Sequence, residues 1–230
     1  MSANRQIGVI FDCDGTLMDS MEVWHGIDAM LAEKSQVEFT REDQDYFTGA
    51  TLEECSEYAH SKLGIGTSAQ DVWDMIHETM RSYYANDAAL KPGVMDFVQG
   101  LSEAGVPMSV ASSTSADLLD EGMRSTGLDP YMCAVLSTDH VGKPKRFSHI
   151  YDAARDAMGT LTADTWGVED AIYAVRTLKN AGYRTLGIYD SDIAGTKEQL
   201  EHEADRMIMT FEDLSADEFL EYSEYMLTGK

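Results

Sequence analysis

The chain has 230 residues, 43% of them hydrophobic, with 17 basic and 41 acidic side chains and a formal net charge of −24. That length holds one large domain or a core with an insertion, and so acidic a composition excludes nucleic acid and anionic membrane surfaces as expected partners, because both need a basic face. Three scattered cysteines, Cys13, Cys55 and Cys133, form neither a disulfide framework nor a zinc spacing.

The chain opens with no signal-like segment and has no apolar run of membrane-spanning length, so a soluble protein in the cytoplasm is expected. Ile7-Gly8-Val9-Ile10-Phe11 predicts a short buried strand that runs into Asp12-Cys13-Asp14-Gly15-Thr16. Two carboxylates at the end of a buried strand repel each other and lose hydration, so they need a cation or a proton. Cys13 lies between them and is expected to point away from both.

From Met21 to about Ala89 the pattern is helical, clearest over Met21 to Leu31, Thr51 to Leu63 and Ala69 to Tyr84, with Asp19-Ser20 able to cap the first helix. Lys91-Pro92-Gly93 marks a boundary, after which strands and helices alternate. Strands are predicted at Pro107 to Ala111, Cys133 to Leu136, Thr165 to Val168, Arg184 to Tyr189 and Arg206 to Met209. Helices are predicted at Val94 to Ala104, Ala116 to Ser125, Ser148 to Met158 and Ala171 to Ala181. This alternation implies an α/β, doubly wound parallel sheet, with residues 1–19 and 91–230 as a Rossmann-like core and 20–90 as a smaller helical domain inserted after the first strand.

Three further strand ends carry polar groups: Ser112, the loop with Lys143 and Lys145, and Glu169-Asp170. Singly, Ser112 reads as a helix cap, Glu169-Asp170 as the start of the next helix and the lysines as solvated. Together with Asp12 and Asp14 they suit phosphoryl transfer. Clustered carboxylates hold Mg²⁺, one of them attacks phosphorus, and metal, lysine and hydroxyl offset phosphoryl charge.

These motifs resemble the haloacid-dehalogenase-like superfamily, in its branch of phosphatases and beta-phosphoglucomutase-like proteins with a helical cap. The resemblance rests on Phe11-Asp12-Cys13-Asp14-Gly15-Thr16-Leu17-Met18-Asp19-Ser20, Lys91-Pro92-Gly93, Val110-Ala111-Ser112 and Val168-Glu169-Asp170. It implies Asp12 as nucleophile and Asp14 as general acid and base. Asp170 would hold Mg²⁺ with the Asp12 carboxylate and the Asp14 carbonyl, assisted by Glu169. Ser112 would bind the phosphoryl group, with backbone N–H groups near Ser113 helping, and Thr16 would support the first loop.

Gly142-Lys143-Pro144 matches the family's lysine motif by identity, whereas counting back from Ile150-Tyr151 favours Lys145; Lys145 is preferred, with Lys143 close behind. Ala171 stands where the family often has Ser, which weakens an outer hydrogen bond. The presence of Asp14 disfavours dehalogenation and phosphonate cleavage. A mutase of the beta-phosphoglucomutase kind would have a cap His where this chain has Trp24, with His25 about a quarter-turn away on a helix, and a cap lysine that is missing near Glu78 to Arg81. The expected function is therefore Mg²⁺-dependent hydrolysis of a small phosphorylated metabolite, such as a sugar or polyol phosphate, with the mutase as alternative and a non-catalytic binding protein behind both. Trp24 is the tentative substrate contact; His25, His60 and His77 are expected to be helix or surface residues.

Overall fold

The structure, a computed structural model, describes residues 6–35 and 37–229; the expected core limits at residues 1 and 230 lie outside them. Four buried residues, Gly8–Phe11, form β1, and their unbroken apolar run reflects a strand covered on both faces. The chain then turns into four helices, α1 (Met21–Ser35), α2 (Arg41–Gly49), α3 (Leu52–Ser61) and α4 (Ala69–Asn86), which add no strand to the sheet. From α5 (Val94–Glu103) onward strands and helices alternate: β2 (Met108–Ser112), α6 (Ala116–Ser125), β3 (Ala134–Ser137), the single turn α7 (Thr138–Val141), α8 (His149–Met158), β4 (Thr165–Glu169), α9 (Ile172–Asn180), β5 (Arg184–Ile188), α10 (Lys197–Glu203), β6 (Arg206–Ile208) and α11 (Ala216–Thr228). All six strands pair in parallel, in the order β3-β2-β1-β4-β5-β6. This is the doubly wound sheet that the sequence predicts.

Alternation along β1 splits the core. Val9 and Phe11 face the larger apolar cluster, and Ile10 faces a smaller one built with Ile150, Tyr151 and Ala154 of α8. On the larger side Phe11 meets Phe97 of α5 edge-on at 6.3 Å, and Phe219 of α11 packs at 5.3 Å from Trp166 of β4. Among the described residues, no helix is long and apolar enough to cross a membrane.

Helices α10 and α11 lie outside the predicted set, and α2 falls within the predicted helical stretch without being singled out. Each has a polar face too broad for a clear apolar period, yet each opens with a capping box: Thr40 with Asp43, Thr196 with Gln199, and Ser215 with Glu218. That local signature was available in the sequence.

The two linkers that carry the chain into and out of the four helices run side by side. Asp19 N–H donates to Ala89 O and Lys91 N–H to Leu17 O, both at 2.9 Å. Lys91 then pairs with Asp190, beyond β5, at 2.6 Å. Gly93 follows at φ +81°, where a Cβ would lie 2.6 Å from the backbone of Phe211 and Glu212. Gly105 also has positive φ, +73°, but open space around it. In urea titrations Gly93→Ala should therefore lose about 3 kcal/mol of stability and Gly105→Ala about 1 kcal/mol; equal losses would show that the close approach at Gly93 is unimportant.

Candidate active site

Strand order reverses about β1, and open α/β sheets leave a crevice at such a point beyond their carboxyl-terminal strand ends. Asp12 stands there, its N–H donating to Val168 O of β4 at 2.9 Å. Cys13 turns into the larger apolar cluster, away from the carboxylates. Glu169 ends β4 and Asp170 follows it, so two adjacent strands deliver three carboxyls to one spot. Asp12, Glu169 and Asp170 are all buried, and one oxygen from each lies within 4.8 Å of the others.

Lys145, 2% exposed, is the cation among them. Its ammonium donates to Asp12 and, at 2.8 Å, to Glu169, which also accepts from the Tyr151 hydroxyl at 2.7 Å. No ion pair reaches Asp170 among the described residues. Burial raises the Asp12 carboxyl, Lys145 opposing and Asp14 adding to the rise. Burial also raises Asp170 well above the usual carboxyl range, reinforced by repulsion from Asp12 and Glu169. Glu169 is pushed up to about 7 by burial, against the pull of Lys145. Burial works against the Lys145 charge, yet Asp12 and Glu169 hold it above the ordinary lysine range. One cation facing three buried carboxyls is an all-oxygen donor set short of positive charge, which fits a hard divalent ion such as Mg²⁺. Gly15 makes the close approach possible: at φ +82°, a Cβ there would lie 2.4 Å from an Asp170 oxygen.

Asp14 is held differently. Its Oδ1 accepts from Ser20 at 2.7 Å and from the Tyr84 hydroxyl at 2.5 Å, and its Oδ2 accepts from Thr114 at 2.6 Å. Ser20 therefore spends its hydroxyl on Asp14, while its carbonyl accepts the first backbone bonds of α1. Tyr84, fully buried near the end of α4, ties the helical segment to Asp14; nothing in its surroundings in sequence marked it.

Ser112 and Ser113 face the same cavity of about 160 Å³. Ser112 Oγ accepts from Thr114 N–H at 3.0 Å, and Ser113 Oγ is buried without a partner among the described residues. Ser112 caps no helix, and neither does Glu169 or Asp170, since the N-cap residues of α6 and α9 are Ser115 and Ala171. Lys143 is exposed, its ammonium 5.8 Å from the Phe147 ring, and it does not line the cavity. Thr16 is fully buried beneath the loop and does not line it either. Trp24 does, and so does His25. His60 instead meets Ile65 O at 3.0 Å and His77 meets Asp117 at 2.9 Å. His25 lies on α1, as expected of a helix residue, and of the three histidines it is the one that lines the cavity. The signal for it was its position beside Trp24 on the first helix after the acidic loop.

The electrostatic deficit has a measurable consequence. Carboxyls raised in the folded protein bind protons more tightly than in the unfolded chain, so their share of stability is complete below about pH 4 and is lost as pH rises through about 7 for Glu169. Asp170→Asn should make the metal-free protein more stable at pH 8 by about 1 kcal/mol or more and flatten this pH dependence. Mg²⁺ should raise the melting temperature of the wild type, and the same variant should lose that rise. Thermal melts at pH 5 and 8, with and without Mg²⁺, check both outcomes.

A family model described as haloacid dehalogenase-like hydrolase matches residues 9–188. Among curated proteins, pyrophosphatase PpaX of Bacillus velezensis is 24% identical over 228 residues, covering 93% of this chain and 97% of that protein. A phosphorylated carbohydrates phosphatase of Thermotoga maritima is 23% identical over 184 residues, covering 80% and 85%. Among solved structures, a mutant of CbbY from Rhodobacter sphaeroides in complex with xylulose 1,5-bisphosphate superposes with a TM-score of 0.75 at 22% identity, covering 91% of this chain and 96% of that one. Beta-phosphoglucomutase from Clostridium difficile gives 0.78 at 16% identity, covering 96% and 99%. These structural likenesses show a common fold, and the family match extends from β1 to β5 through every strand end that carries a polar group. The chain belongs to the haloacid dehalogenase-like hydrolase family.

Proposed function

We propose that this phosphoric monoester hydrolase releases phosphate from a small phosphorylated metabolite, with sugar and polyol phosphates as the first class to test, through an aspartyl-phosphate on Asp12. The observation that carries the reading is the meeting of Asp12, Glu169 and Asp170 in one buried spot beside Lys145. The curated relatives, a pyrophosphatase and a carbohydrate phosphatase, support phosphoryl hydrolysis as the class of reaction.

In this reading an Asp12 oxygen forms a bond to phosphorus as the ester O–P bond breaks. Asp14 gives its proton to the leaving alkoxide. It then takes a proton from the water that attacks the phosphorus, so that inorganic phosphate departs and the Asp12 carboxylate is restored. Lys145, the Ser112 hydroxyl and backbone N–H groups around Ser113 hold the phosphoryl oxygens. Asp12, Asp170 and the Asp14 carbonyl, with Glu169 assisting, would hold Mg²⁺, which would supply neutralisation of phosphoryl charge. Lys145 is the phosphate lysine in preference to Lys143 because its ammonium already sits against Asp12, whereas Lys143 is out in solvent. Residues 20–90 act as the cap that covers the leaving group.

The test is turnover of p-nitrophenyl phosphate with and without Mg²⁺, wild type against Asp12→Asn. Wild type should require the metal, and Asp12→Asn should lose activity by roughly 10⁴-fold with an unchanged circular dichroism spectrum. Borohydride trapping should reduce Asp12 to the alcohol in wild type during turnover. A folded Asp12→Asn protein with full activity would remove the nucleophile from the scheme.

A further inference from the structure

The wall of the cavity opposite the carboxyls is built by the four helices after β1. Met21, Trp24, Ile27, Phe47, Leu52 and Ile76 supply most of it. Lys145 is the one lysine or arginine lining the cavity among the described residues, and it is engaged by Asp12 and Glu169. Two basic side chains of neighbouring loops are engaged as well. Lys91 pairs with Asp190 at 2.6 Å, and Arg146 forms a two-pronged contact with Glu54 at 2.8 and 3.3 Å. On that wall one polar atom stands out: His25 Nε2 is buried and has no hydrogen-bond partner among the described residues.

A leaving group that carried a second phosphate or a carboxylate would be stripped of water against this wall with no cation to receive it. The acidity of the whole chain adds to that penalty. A neutral group with an apolar face has no such cost. An unpartnered buried nitrogen is itself costly until something pairs with it. A substrate hydroxyl supplies the missing partner.

We infer that the substrate is a monophosphate ester of a neutral alcohol, with an apolar face against Trp24 and a hydroxyl that pairs with His25, and that bisphosphates, pyrophosphate and acidic phosphoesters are excluded by the absence of a free cation on the cap wall. This rests on the phosphatase reading and narrows it. It also separates this chain from the pyrophosphatase and the bisphosphate-bound CbbY that share its fold. A mutase that passes through a sugar bisphosphate is disfavoured by the same wall.

Matched pairs of esters test the inference on the full-length protein with Mg²⁺. Phenyl phosphate is compared with 4-carboxyphenyl phosphate, and fructose 6-phosphate with fructose 1,6-bisphosphate. The carboxylate makes the phenol the slightly better leaving group, so a slower reaction there reports the wall and not the chemistry. The neutral member should have kcat/KM at least about tenfold higher in each pair. Trp24→Lys should narrow the gap by about threefold or more by placing a cation on the wall. His25→Ala should raise KM for fructose 6-phosphate more than it lowers kcat, by a clearly larger factor than it changes KM for phenyl phosphate, and be rescued by His25→Gln, whose amide nitrogen reaches the same place. Equal or faster turnover of the charged members by wild type would overturn the charge exclusion while leaving the phosphatase reading intact. A His25→Ala effect that is equal for both neutral esters would overturn the hydroxyl contact. Absence of turnover of every ester, p-nitrophenyl phosphate included, would instead bring down the phosphatase reading itself.

Discussion

Three buried carboxyls face one buried ammonium at the ends of β1 and β4, and the rest of the molecule is arranged around that imbalance. Like charges out of water cannot persist without protons or cations. Lys145 satisfies Asp12 and Glu169, and Tyr151 adds a hydrogen bond to Glu169. Asp170 is left over, and burial with repulsion raises its carboxyl strongly. The fold tolerates this because parallel pairing fixes the backbone of β1 against β4 on every residue from Gly8 to Phe11. The aromatic packing of Phe11, Phe97, Trp166 and Phe219 beneath the sheet supplies apolar burial that a polar strand end cannot. Stability made in the core is thus set against unfavourable charge at the strand ends, the usual relation between a scaffold and its working site.

The same imbalance reconciles the acidity of the chain with an anionic substrate. At long range a net charge of −24 repels a phosphate ester. Within the site, field inversion has to be local. In the proposed reading a buried ammonium and a divalent ion would act there at short range, where screening by salt is weak. The positive charge is concentrated on the phosphoryl side, and the cap wall has none to spare. In the proposed reading charge would thereby orient the ester, phosphate toward the strand ends and neutral group toward Trp24 and His25.

What could be read in the sequence follows the range of the interactions involved. The strand ends were legible because each pairs a short apolar run with a polar break, a signal contained within a few residues. Strand positions and the parallel class follow from it, with differences of a residue at the ends, as at Ile7, Pro107 and Tyr189. Lys145 against Lys143 was a matter of spacing from the following helix, and the ammonium of Lys145 is the one that meets the carboxyls. Helices α10 and α11 escaped, and α2 was not resolved within its helical stretch, because their polar faces blur the apolar period that served elsewhere, though their capping boxes are local. Tyr84 and His25 depend on how α4 and α1 dock on the core. That docking is a property of surfaces distant in sequence, and one chain without relatives aligned to it does not display it.

The ties between the helical segment and the core lie at the site and its rim. Tyr84 reaches Asp14 from α4, Arg146 reaches Glu54 at the start of α3, and His77 reaches Asp117 at the start of α6. The paired linkers at Leu17–Asp19 and Ala89–Lys91 form a narrow waist below them. A motion about that waist would have to break the Tyr84 bond to Asp14, the Ser125 bond to Tyr84 O, the His77 contact with Asp117 and the exposed Arg146 pair together. The exposed pair contributes little, whereas a bond from a buried hydroxyl to a carboxylate contributes roughly 1.5–3 kcal/mol. Asp14 is a point at which the helical segment and the core share one carboxylate. Its three donors come from the linker (Ser20), from α4 (Tyr84) and from the loop after β2 (Thr114), so a change in any one element alters the carboxylate without touching Asp12.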